Sequence, residues 1–508
     1  MTRLLSASIL TFLFVASAFA KELPNIIFIL ADDMGVDSVS AFNDEIGGMQ
    51  TPHIDKLVKQ GMTFTDGHSA SSVCTPTRYG LLTGRYCWRT RLKKEVIWSY
   101  GQPLLEDDEL TLAELLKEEG YITGMVGKWH LGTAWKTREG QRANGNILDT
   151  DKTWDKVGGK EKIAAAEKTI DWSKEFEGGP RDHGFDYFFG VDLPNMPPYT
   201  WLEGRKVVHV PTVPKPDKMF GTPGMMKEGW RLEDILPGLR DKACEWITDA
   251  AKKEEPFFLF MPLTSPHTPI SPSEEFAGKS GLNAYVDFVI ETDDVVGHVM
   301  DALEKTGEAE DTLVVFTADN GTAAAAGIKK LQELGVNLRK SFRAQKGSIY
   351  EAGHRVPLIL SWPKVIKPGS KNDETVCLND FLATFAEMTG RKLKHSEGVD
   401  STSIWPLITG KKTELPEHPS VVSHSYRGQY SIRDGEWKLI FPLTKGEDLQ
   451  LYNLAKDQKE ESNVADQFPE RVKTMTATFK DIVLSGRSTK GPKQDNHAGE
   501  TSWYGLPW

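Results

Sequence analysis

The stretch Asn25-Ile26-Ile27-Phe28-Ile29-Leu30-Ala31-Asp32-Asp33 decides how this chain folds. Its apolar residues run without the polar alternation of a half-exposed strand, so they predict a strand that is buried on both faces. Similar runs occur at 256–260 and 312–316. Helical patterns separate these runs, at 54–61, 110–118, 236–252 and 283–305. Buried strands that alternate with helices predict an α/β fold, in which helices sandwich a large, mostly parallel sheet.

The two ends of the chain predict separate segments. Residues 1–20 contain Arg3, an apolar stretch at 9–15 and then Ala18-Phe19-Ala20, which is the pattern of a cleaved signal peptide. We therefore expect an exported, periplasmic or secreted protein with no membrane-spanning segment. The remaining chain divides into a large α/β domain at 21–410 and a C-terminal subdomain at 411–508.

Within these segments, residues 133–182 form a charged insertion that contains one amphipathic helical pattern at 161–172. In the C-terminal subdomain, short strand patterns at 430–433, 437–440 and 451–454 predict a small antiparallel sheet, followed by a helix at 469–484.

Charge and cysteine content exclude several classes of protein. The formal net charge is −11, which does not favour binding to nucleic acid. The four cysteines, Cys74, Cys87, Cys244 and Cys377, are too few for a disulfide scaffold, and at most one disulfide remains if Cys74 serves chemistry. The one glycosylation sequon begins at Asn320, a candidate site residue, which favours a bacterial origin.

Acidic and amide side chains follow two of the buried strands. Asp32 and Asp33 come directly after the first strand, and Asp319 and Asn320 follow the strand at 312–316. If both strands are central in one parallel sheet, their carboxyl ends meet at one edge. Oxygen ligands with this much negative charge suit Ca²⁺, and Mg²⁺ is the second choice. A strand-end turn or a helix cap is the alternative for each pair alone.

A second stretch places a cysteine close to an arginine. Cys74-Thr75-Pro76-Thr77-Arg78-Tyr79-Gly80 leads into a helical pattern, with Pro76 near the helix start. Free backbone N–H groups and a guanidinium there favour a bound anion or an ionised nucleophile. A buried structural cysteine beside an exposed arginine is the other interpretation.

Taken together, these stretches resemble the formylglycine-dependent sulfatases of the alkaline phosphatase superfamily. The resemblance covers most of the mature chain. It rests on motifs in a fixed order: Cys74-x-Pro76-x-Arg78, Leu82-Thr83-Gly84-Arg85, Gly127-Lys128-Trp129-His130-Leu131-Gly132, Ser265-Pro266-His267-Thr268-Pro269, Asp319-Asn320-Gly321, Lys346-Gly347-Ser348-Ile349-Tyr350-Glu351 and Arg355-Val356-Pro357.

The resemblance implies that Cys74 is oxidised to formylglycine by a formylglycine-generating or sulfatase-maturating enzyme. The hydrated aldehyde would attack sulfur with one hydroxyl and expel sulfate on returning to the aldehyde. The implied metal ligands are Asp32, Asp33, Asp319, Asn320 and residue 74, around Ca²⁺, which would acidify the attacking hydroxyl.

The same resemblance implies roles for the basic residues. Arg78 would hold the formylglycine, and Lys128 and Lys346 would bind sulfate oxygens. His130 would assist the elimination that restores the aldehyde, and His267 would protonate the leaving alcohol. For each of these, a solvated surface charge or a hydrogen-bonded structural histidine is the alternative.

One block departs from the usual pattern of arylsulfatases. The segment Val191-Asp192-Leu193-Pro194-Asn195-Met196-Pro197-Pro198-Tyr199 stands where a polar, serine-containing segment is common. We name Asp192, Asn195 and Tyr199 as candidates for contacting the substrate, and a structural loop is the alternative.

The sequence thus predicts a sulfatase that acts on a sulfated saccharide. Two other functions stay open: a phosphomonoesterase or phosphonate esterase of the same superfamily, and an inactive, calcium-dependent carbohydrate-binding protein. Only three residues separate Cys74 from Arg78, too few for the phosphate loop of a protein-tyrosine phosphatase.

Overall fold

The structure is a computed structural model that describes residues 23–141, 158–444 and 446–496. The predicted signal peptide at 1–20 and residues 142–157 of the predicted insertion lie outside these ranges.

A ten-stranded sheet forms the centre of the described chain. Its strands are β1 (Asn25–Ala31), β2 (Met62–His68), β3 (Ile122–Lys128), β4 (Tyr187–Val191), β5 (Leu202–Glu203), β6 (Lys206–Val207), β9 (Phe257–Pro262), β10 (Thr312–Ala318), β11 (Leu358–Ser361) and β12 (Ser370–Cys377). Two short strands, β7 (Val213–Pro214) and β8 (Met225–Met226), pair separately. The order across the sheet is β12-β2-β11-β10-β1-β9-β3-β4-β5-β6.

Eleven α-helices occur in the described ranges. They are α1 (Pro52–Gln60), α2 (Cys74–Thr83), α3 (Leu112–Glu118), α4 (Gly158–Thr169), α5 (Ile235–Ala250), α6 (Ala284–Thr306), α7 (Ile328–Glu333), α8 (Glu351–His354), α9 (Phe381–Thr389), α10 (Trp405–Ile408) and α11 (Pro469–Ser485). The helix predicted in the insertion at 161–172 is present as α4, shifted toward the N-terminus.

Strand β1 lies between β10 and β9 and is parallel to both. Its side chains point alternately into two cores, and all are fully buried. Phe28 belongs to the core that includes α2, α3 and α9, whereas Ile27 belongs to the core that includes α1, α5 and α6. Each such side chain contributes roughly 1.5–3 kcal/mol by burial. This explains why residues 26–31 of the opening stretch are all apolar.

Two glycines bring β3 and β4 close together. Gly127 pairs with Gly190, and a Cβ atom on Gly190 would lie 1.8 Å from the carbonyl oxygen of Gly127. Only glycine leaves room for that approach. As a result, Lys128 at the end of β3 and Asp192 just after β4 lie at the same edge of the sheet as the end of β1.

The C-terminal part contains an antiparallel sheet, which we call the C-terminal sheet. Its strands, in spatial order, are β13 (Val421–His424), β14 (Tyr430–Asp434), β15 (Trp437–Ile440) and β16 (Gln450–Asn453). Helix α11 packs on it through Met475 and Phe479, against Ile432 and Leu439. The predicted fold class is confirmed in both parts: a large, mostly parallel sheet flanked by helices and a small antiparallel sheet with a helix. The boundary predicted at 410/411 stays a prediction.

The described residues contain no helix that is long and apolar enough to cross a membrane. All four cysteines lie in the described ranges, and none forms a disulfide.

Candidate active site

The ends of β1 and β10 bring the acidic candidates together. The two strands pair in parallel up to Ala31 and Ala318, so the residues that follow them emerge side by side. The backbone N–H of Asp33 donates to Asp319 Oδ1 at 3.2 Å, and Asn320 Nδ2 donates to Asp33 Oδ1 at 2.8 Å. These residues and Asp32 are all buried. The convergence that the strand pattern predicted is therefore present.

The donor set of this cluster fits a cation. Asn320 Oδ1 is buried and accepts no hydrogen bond from any residue that the structure describes, although buried carbonyl oxygens normally have a partner. Asp32, Asp33, Cys74 and His267 each have a ligand atom within 4.8 Å of those of the others. Carboxylate and amide oxygens are the ligands of hard divalent cations.

Cys74 is the first residue of α2 and lies beside this cluster. Its Sγ is 3.6 Å from Asp32 Oδ1 and 3.2 Å from the Nζ of Lys346. Burial raises the pKa of the Cys74 thiol to about 12, although Lys128 and Lys346 act in the opposite direction. Without a bound metal ion, an unmodified Cys74 is therefore a neutral thiol at physiological pH and a weak nucleophile.

Arg78, one turn further along α2, ties three elements together. It donates to Asp319 Oδ2 at 2.9 and 3.2 Å, to Asp32 Oδ2 at 3.2 Å and to the carbonyl of Lys128 at 2.8 Å. The side chain is 1% exposed, so its donors serve the carboxylates and the backbone. Arg78 thus holds the acidic cluster in place, and burial strengthens the attraction between its guanidinium and the carboxylates.

Two lysines complete the charged cluster. Lys128 Nζ lies 2.5 Å from Asp32 Oδ2 and is fully buried. Lys346 contacts Asp33 Oδ1, and its side chain is 18% exposed. Burial alone would raise the pKa of Asp32, but Lys128 and nearby cations outweigh it and hold that pKa well below its usual value. Burial, with Asp32 next, raises the pKa of Asp319 to about 7, so additional positive charge would be favourable here.

His130 and His267 lie near the cluster as neutral imidazoles. Burial, with Lys128 and Arg78, holds the pKa of His130 well below its usual value. Its Nε2 is 2.9 Å from the carbonyl of Ile97, so Nε2 carries the proton and the buried Nδ1 has a free lone pair. Burial, followed by Lys346, lowers the pKa of His267 to about 4. Its Nε2 lies 3.8 Å from Asp33 Oδ2.

The backbone is strained at two of these residues. Asp33 has a φ of 66° and His130 a φ of 57°, in the left-handed region that favours glycine. Such conformations cost about 1–3 kcal/mol and occur most often at functional sites, where surrounding contacts hold them. For His130 these contacts are Asp192 Oδ1, which accepts its N–H at 3.1 Å, and Thr75 Oγ1, which donates to its carbonyl at 3.0 Å.

Of the three candidates on the 191–199 segment, Asp192 bonds to a residue of the charged site, the backbone of His130. Asn195 Oδ1 is buried and has no hydrogen-bond partner within the described ranges. The hydroxyl of Tyr199 lies 2.7 Å from the carbonyl of Thr222 and 2.9 Å from that of Asn195, so it holds the loop. The sequence did not predict Thr75 as a partner of His130, although Thr75 lies next to Cys74 and could have been suspected for that reason.

Comparison with known proteins gives one consistent result. A family model described as "Sulfatase" matches residues 24–391, and a model for the C-terminal part of N-sulphoglucosamine sulphohydrolase matches residues 344–483. The chain is 31% identical to an N-acetylgalactosamine-6-O-sulfatase of Bacteroides thetaiotaomicron, over 91% of this chain and 93% of that protein. It is 29% identical to arylsulfatase A of Bos taurus, over 96% of this chain and 93% of that protein.

Solved structures agree with this result. A structure described under the metabolism of multiple glycosaminoglycans by Bacteroides thetaiotaomicron superposes with a TM-score of 0.77 and 27% sequence identity. The match covers 91% of this chain and 99% of that one. A complex with D-glucosamine-2-N,6-O-disulfate, at 18% identity and a TM-score of 0.61, shares the fold.

Asp192 generates a prediction about stability and pH. Burial raises its pKa to about 6, whereas an aspartate of an unfolded chain titrates near pH ~4. Between these values the folded protein holds a proton that the unfolded chain has lost, so the free energy of unfolding falls as the pH rises. We expect Asp192→Asn to lack this loss, which amounts to roughly 2–3 kcal/mol.

Denaturant unfolding of wild type and Asp192→Asn at a series of pH values measures that difference. Asp217→Asn, at an exposed aspartate, is the control and should follow the wild type. Parallel curves for wild type and Asp192→Asn would contradict the prediction.

Proposed function

The chain belongs to the sulfatase family, whose members are sulfuric ester hydrolases, and we propose that it removes an O-sulfate group from a sulfated saccharide outside the cytoplasm. We further propose that its nucleophile is a formylglycine hydrate made from Cys74. The observation that carries the proposal is the position of Cys74 between a buried acidic cluster and the ammonium of Lys346, 3.2 Å from Sγ.

The buried thiol supports modification of Cys74. Because its pKa is raised to about 12, the unmodified side chain offers almost no thiolate in the metal-free protein. A hydrated aldehyde instead carries two hydroxyl groups on one carbon. One can attack sulfur and displace the alcohol, and loss of the proton from the other can then expel sulfate and restore the aldehyde, so no stable thiosulfate-type ester of the cysteine is formed.

The acidic cluster supports a bound Ca²⁺. We propose Asp32, Asp33, Asp319 and Asn320, together with modified residue 74, as its ligands. When bound, the ion would supply positive charge to the attacking hydroxyl and the sulfate oxygens. Arg78 holds two of the carboxylates in place, which preorganises the ligands before the ion arrives.

The basic residues have suitable proton states for the remaining roles. Lys128 and Lys346 are proposed to neutralise sulfate oxygens, since the ammonium of Lys128 at the end of β3 and that of Lys346 in the loop before α8 both face the cluster. His130 presents a free Nδ1 lone pair, as a general base requires. His267 is proposed to protonate the leaving alcohol from its imidazolium form, which the negative charge of a bound sulfate ester would favour by raising the pKa of the imidazole.

The substrate class comes from similarity. The relative with 31% identity over most of both chains acts, by its name, on 6-O-sulfated N-acetylgalactosamine. We propose a 6-O-sulfated amino sugar as the first substrate to test, and export by the segment at 1–20 would bring the enzyme to such saccharides. Asp192, Asn195 and Tyr199 stay candidates for shaping that pocket, with Asp192 acting through His130.

We expect the mature enzyme to hydrolyse an aryl sulfate faster than the phosphate ester of the same aryl alcohol, and to release sulfate from N-acetylgalactosamine 6-sulfate. The fixed cations are proposed to bind a monoanionic ester, and the family chemistry is sulfuric ester hydrolysis. Steady-state assays on both aryl esters and on the 4- and 6-sulfated sugars measure this. Faster phosphate turnover would favour the phosphoesterase alternative, and no turnover of either ester would favour a carbohydrate-binding protein.

Formylglycine at residue 74 predicts a change in mass. Conversion of the cysteine to the aldehyde lowers the mass of the peptide by about 18 Da. We expect this loss in active protein made with a formylglycine-generating or sulfatase-maturating enzyme, and none in Cys74→Ala, which should be inactive. Mass spectrometry of the peptide, with activity measured on the same sample, checks both points. Full activity in a preparation with unmodified Cys74 would refute the proposed nucleophile.

The proposed metal predicts a change in thermal stability. After removal of divalent ions with EDTA, we expect Ca²⁺ to raise the Tm of the wild type, since binding at 100 times Kd stabilises by about 2.7 kcal/mol. Asn320→Ala removes one oxygen ligand and should need at least tenfold more Ca²⁺ for the same rise. Asn337→Ala, whose amide bonds to Glu45 away from the cluster, is the matched control. A wild-type response to Ca²⁺ in Asn320→Ala would contradict this ligand assignment.

A further inference from the structure

The residues from Lys346 to Glu351, which we call the Lys346 segment, are fastened to the C-terminal part of the chain. The segment carries the ammonium that faces Cys74 at one end and begins α8 at the other. Successive polar contacts join it to the C-terminal part: Tyr426 N–H to Gly347 O at 3.2 Å, Lys438 Nζ to Ile349 O at 2.8 Å, Tyr350 Oη to Gln450 Oε1 at 2.9 Å, and Glu351 N–H to Glu460 Oε2 at 2.7 Å.

An apolar contact accompanies these bonds. Ile349 packs with Ile440, Tyr452 and Leu454 in a small buried cluster of its own, and Tyr350 lies against it. The C-terminal sheet therefore uses one face for this segment and the opposite face, through Leu439, for α11. The Lys346 segment and the C-terminal sheet therefore share a buried apolar core as well as hydrogen bonds.

Lys438 on β15 is the centre of the junction. Its side chain is 1% exposed, and its ammonium lies 2.9 Å from both Glu351 Oε1 and Glu460 Oε1. It also donates to the carbonyl of Ile349. A buried ammonium is costly to desolvate, so it persists where charged partners compensate it fully. Glu460, moreover, has a φ of 55°, a strained conformation that this contact helps to hold.

The junction is close to the active site along the chain. Ile349 is three residues from Lys346, so their Cα atoms are at most about 11 Å apart. Between these two residues, Gly347 donates its N–H to the carbonyl of Ser72 at 2.9 Å, and Ser72 is two residues before Cys74. The backbone of Lys346 is itself held, by a bond to Thr322 O at 3.0 Å. The backbone between the carbonyl that Lys438 holds and Lys346 is therefore held by hydrogen bonds at Lys346 and at Gly347.

We propose that Lys438 is a positioning residue for the active site. From the C-terminal sheet it fixes the Ile349 carbonyl and Glu351, and thereby holds the ammonium of Lys346 beside residue 74. The inference rests on the proposed role of Lys346 in binding sulfate. It makes the C-terminal sheet a component of the catalytic apparatus, although none of its side chains needs to touch the substrate.

A comparison of two buried cations that each bond to the C-terminal part of the chain, at different places, tests the inference. Lys438→Met removes the ammonium of β15. Arg89→Met is the matched control, because Arg89 is fully buried, pairs with Asp400 at 2.7 Å and donates to the carbonyl of Ile482 in α11, without contacting the Lys346 segment. Both variants should lower the Tm by similar amounts. Only Lys438→Met should lower kcat/KM for an aryl sulfate, by roughly 10- to 100-fold, since a displacement of about 1 Å costs about that much.

A double-mutant cycle then separates positioning from general loosening. If Lys438 acts through Lys346, the loss caused by Lys438→Met should nearly vanish in a Lys346→Met background. The cycle is read both as kcat/KM and as the concentration of inorganic sulfate that gives half the maximal rise in Tm, which needs no turnover. Additive losses, an equal loss of kcat/KM in Arg89→Met, or an unchanged kcat/KM in Lys438→Met would overturn the inference.

Two outcomes concern different claims. A wild type that hydrolyses no sulfate ester refutes the proposed function, whereas an active wild type with an additive cycle refutes only the role of Lys438. If Lys438→Met does not fold, Glu460→Gln tests the same contact, because it weakens one partner of the ammonium and keeps its shape. A loss of about two- to fivefold that disappears in Lys346→Met supports the inference, and an unchanged kcat/KM overturns it.

Discussion

The balance of charge at the ends of β1 and β10 is the constraint on which the rest of the site depends. Three buried carboxylates, Asp32, Asp33 and Asp319, lie among Arg78, Lys128 and Lys346. In a medium of low dielectric constant each unpaired member would be costly, so every cation is delivered by a separate element: α2, β3 and the Lys346 segment. Removing any one element leaves buried charge uncompensated, which links the assembly of the fold to the assembly of the site.

Buried charges are also paired at the contact between the C-terminal sheet and the Lys346 segment. Lys438 compensates Glu351 and Glu460, and these in turn hold the segment that carries Lys346. A second buried cation, Arg89, pairs with Asp400 and donates to the carbonyl of Ile482, so it joins α11 to the chain just after α2. Charge pairs of this kind have strict geometric requirements, whereas apolar contacts tolerate sliding. The C-terminal sheet therefore helps to fix the geometry of the site, whereas the acidic residues of the site follow strands β1 and β10 of the ten-stranded sheet.

Much of this could be predicted from the sequence, for physical reasons that differ between features. The run at 26–31 is apolar at every position because both faces are buried, so the strand and the parallel sheet could be predicted. The convergence of Asp32 and Asp319 followed from strand polarity alone. The burial of Lys438 could not be predicted, because a lysine in a short antiparallel strand normally points to solvent. The bond between Asp192 and the backbone of His130 depends on a left-handed residue, which no side-chain pattern reveals.

Burial favours the binding of an anionic ester at this site but disfavours ionisation of the cysteine and histidine side chains. It strengthens the attraction between fixed cations and an anionic ester, because the effective dielectric constant is low. The same burial raises the pKa of Cys74 and lowers those of His130 and His267, so ionised nucleophiles and imidazolium acids are unavailable in the resting, metal-free protein. A site built in this way suits a nucleophile whose reactivity does not require a thiolate. It also suits histidines that change their protonation only as charge develops on the reacting oxygens, which is the proton chemistry that hydrolysis of an ester requires.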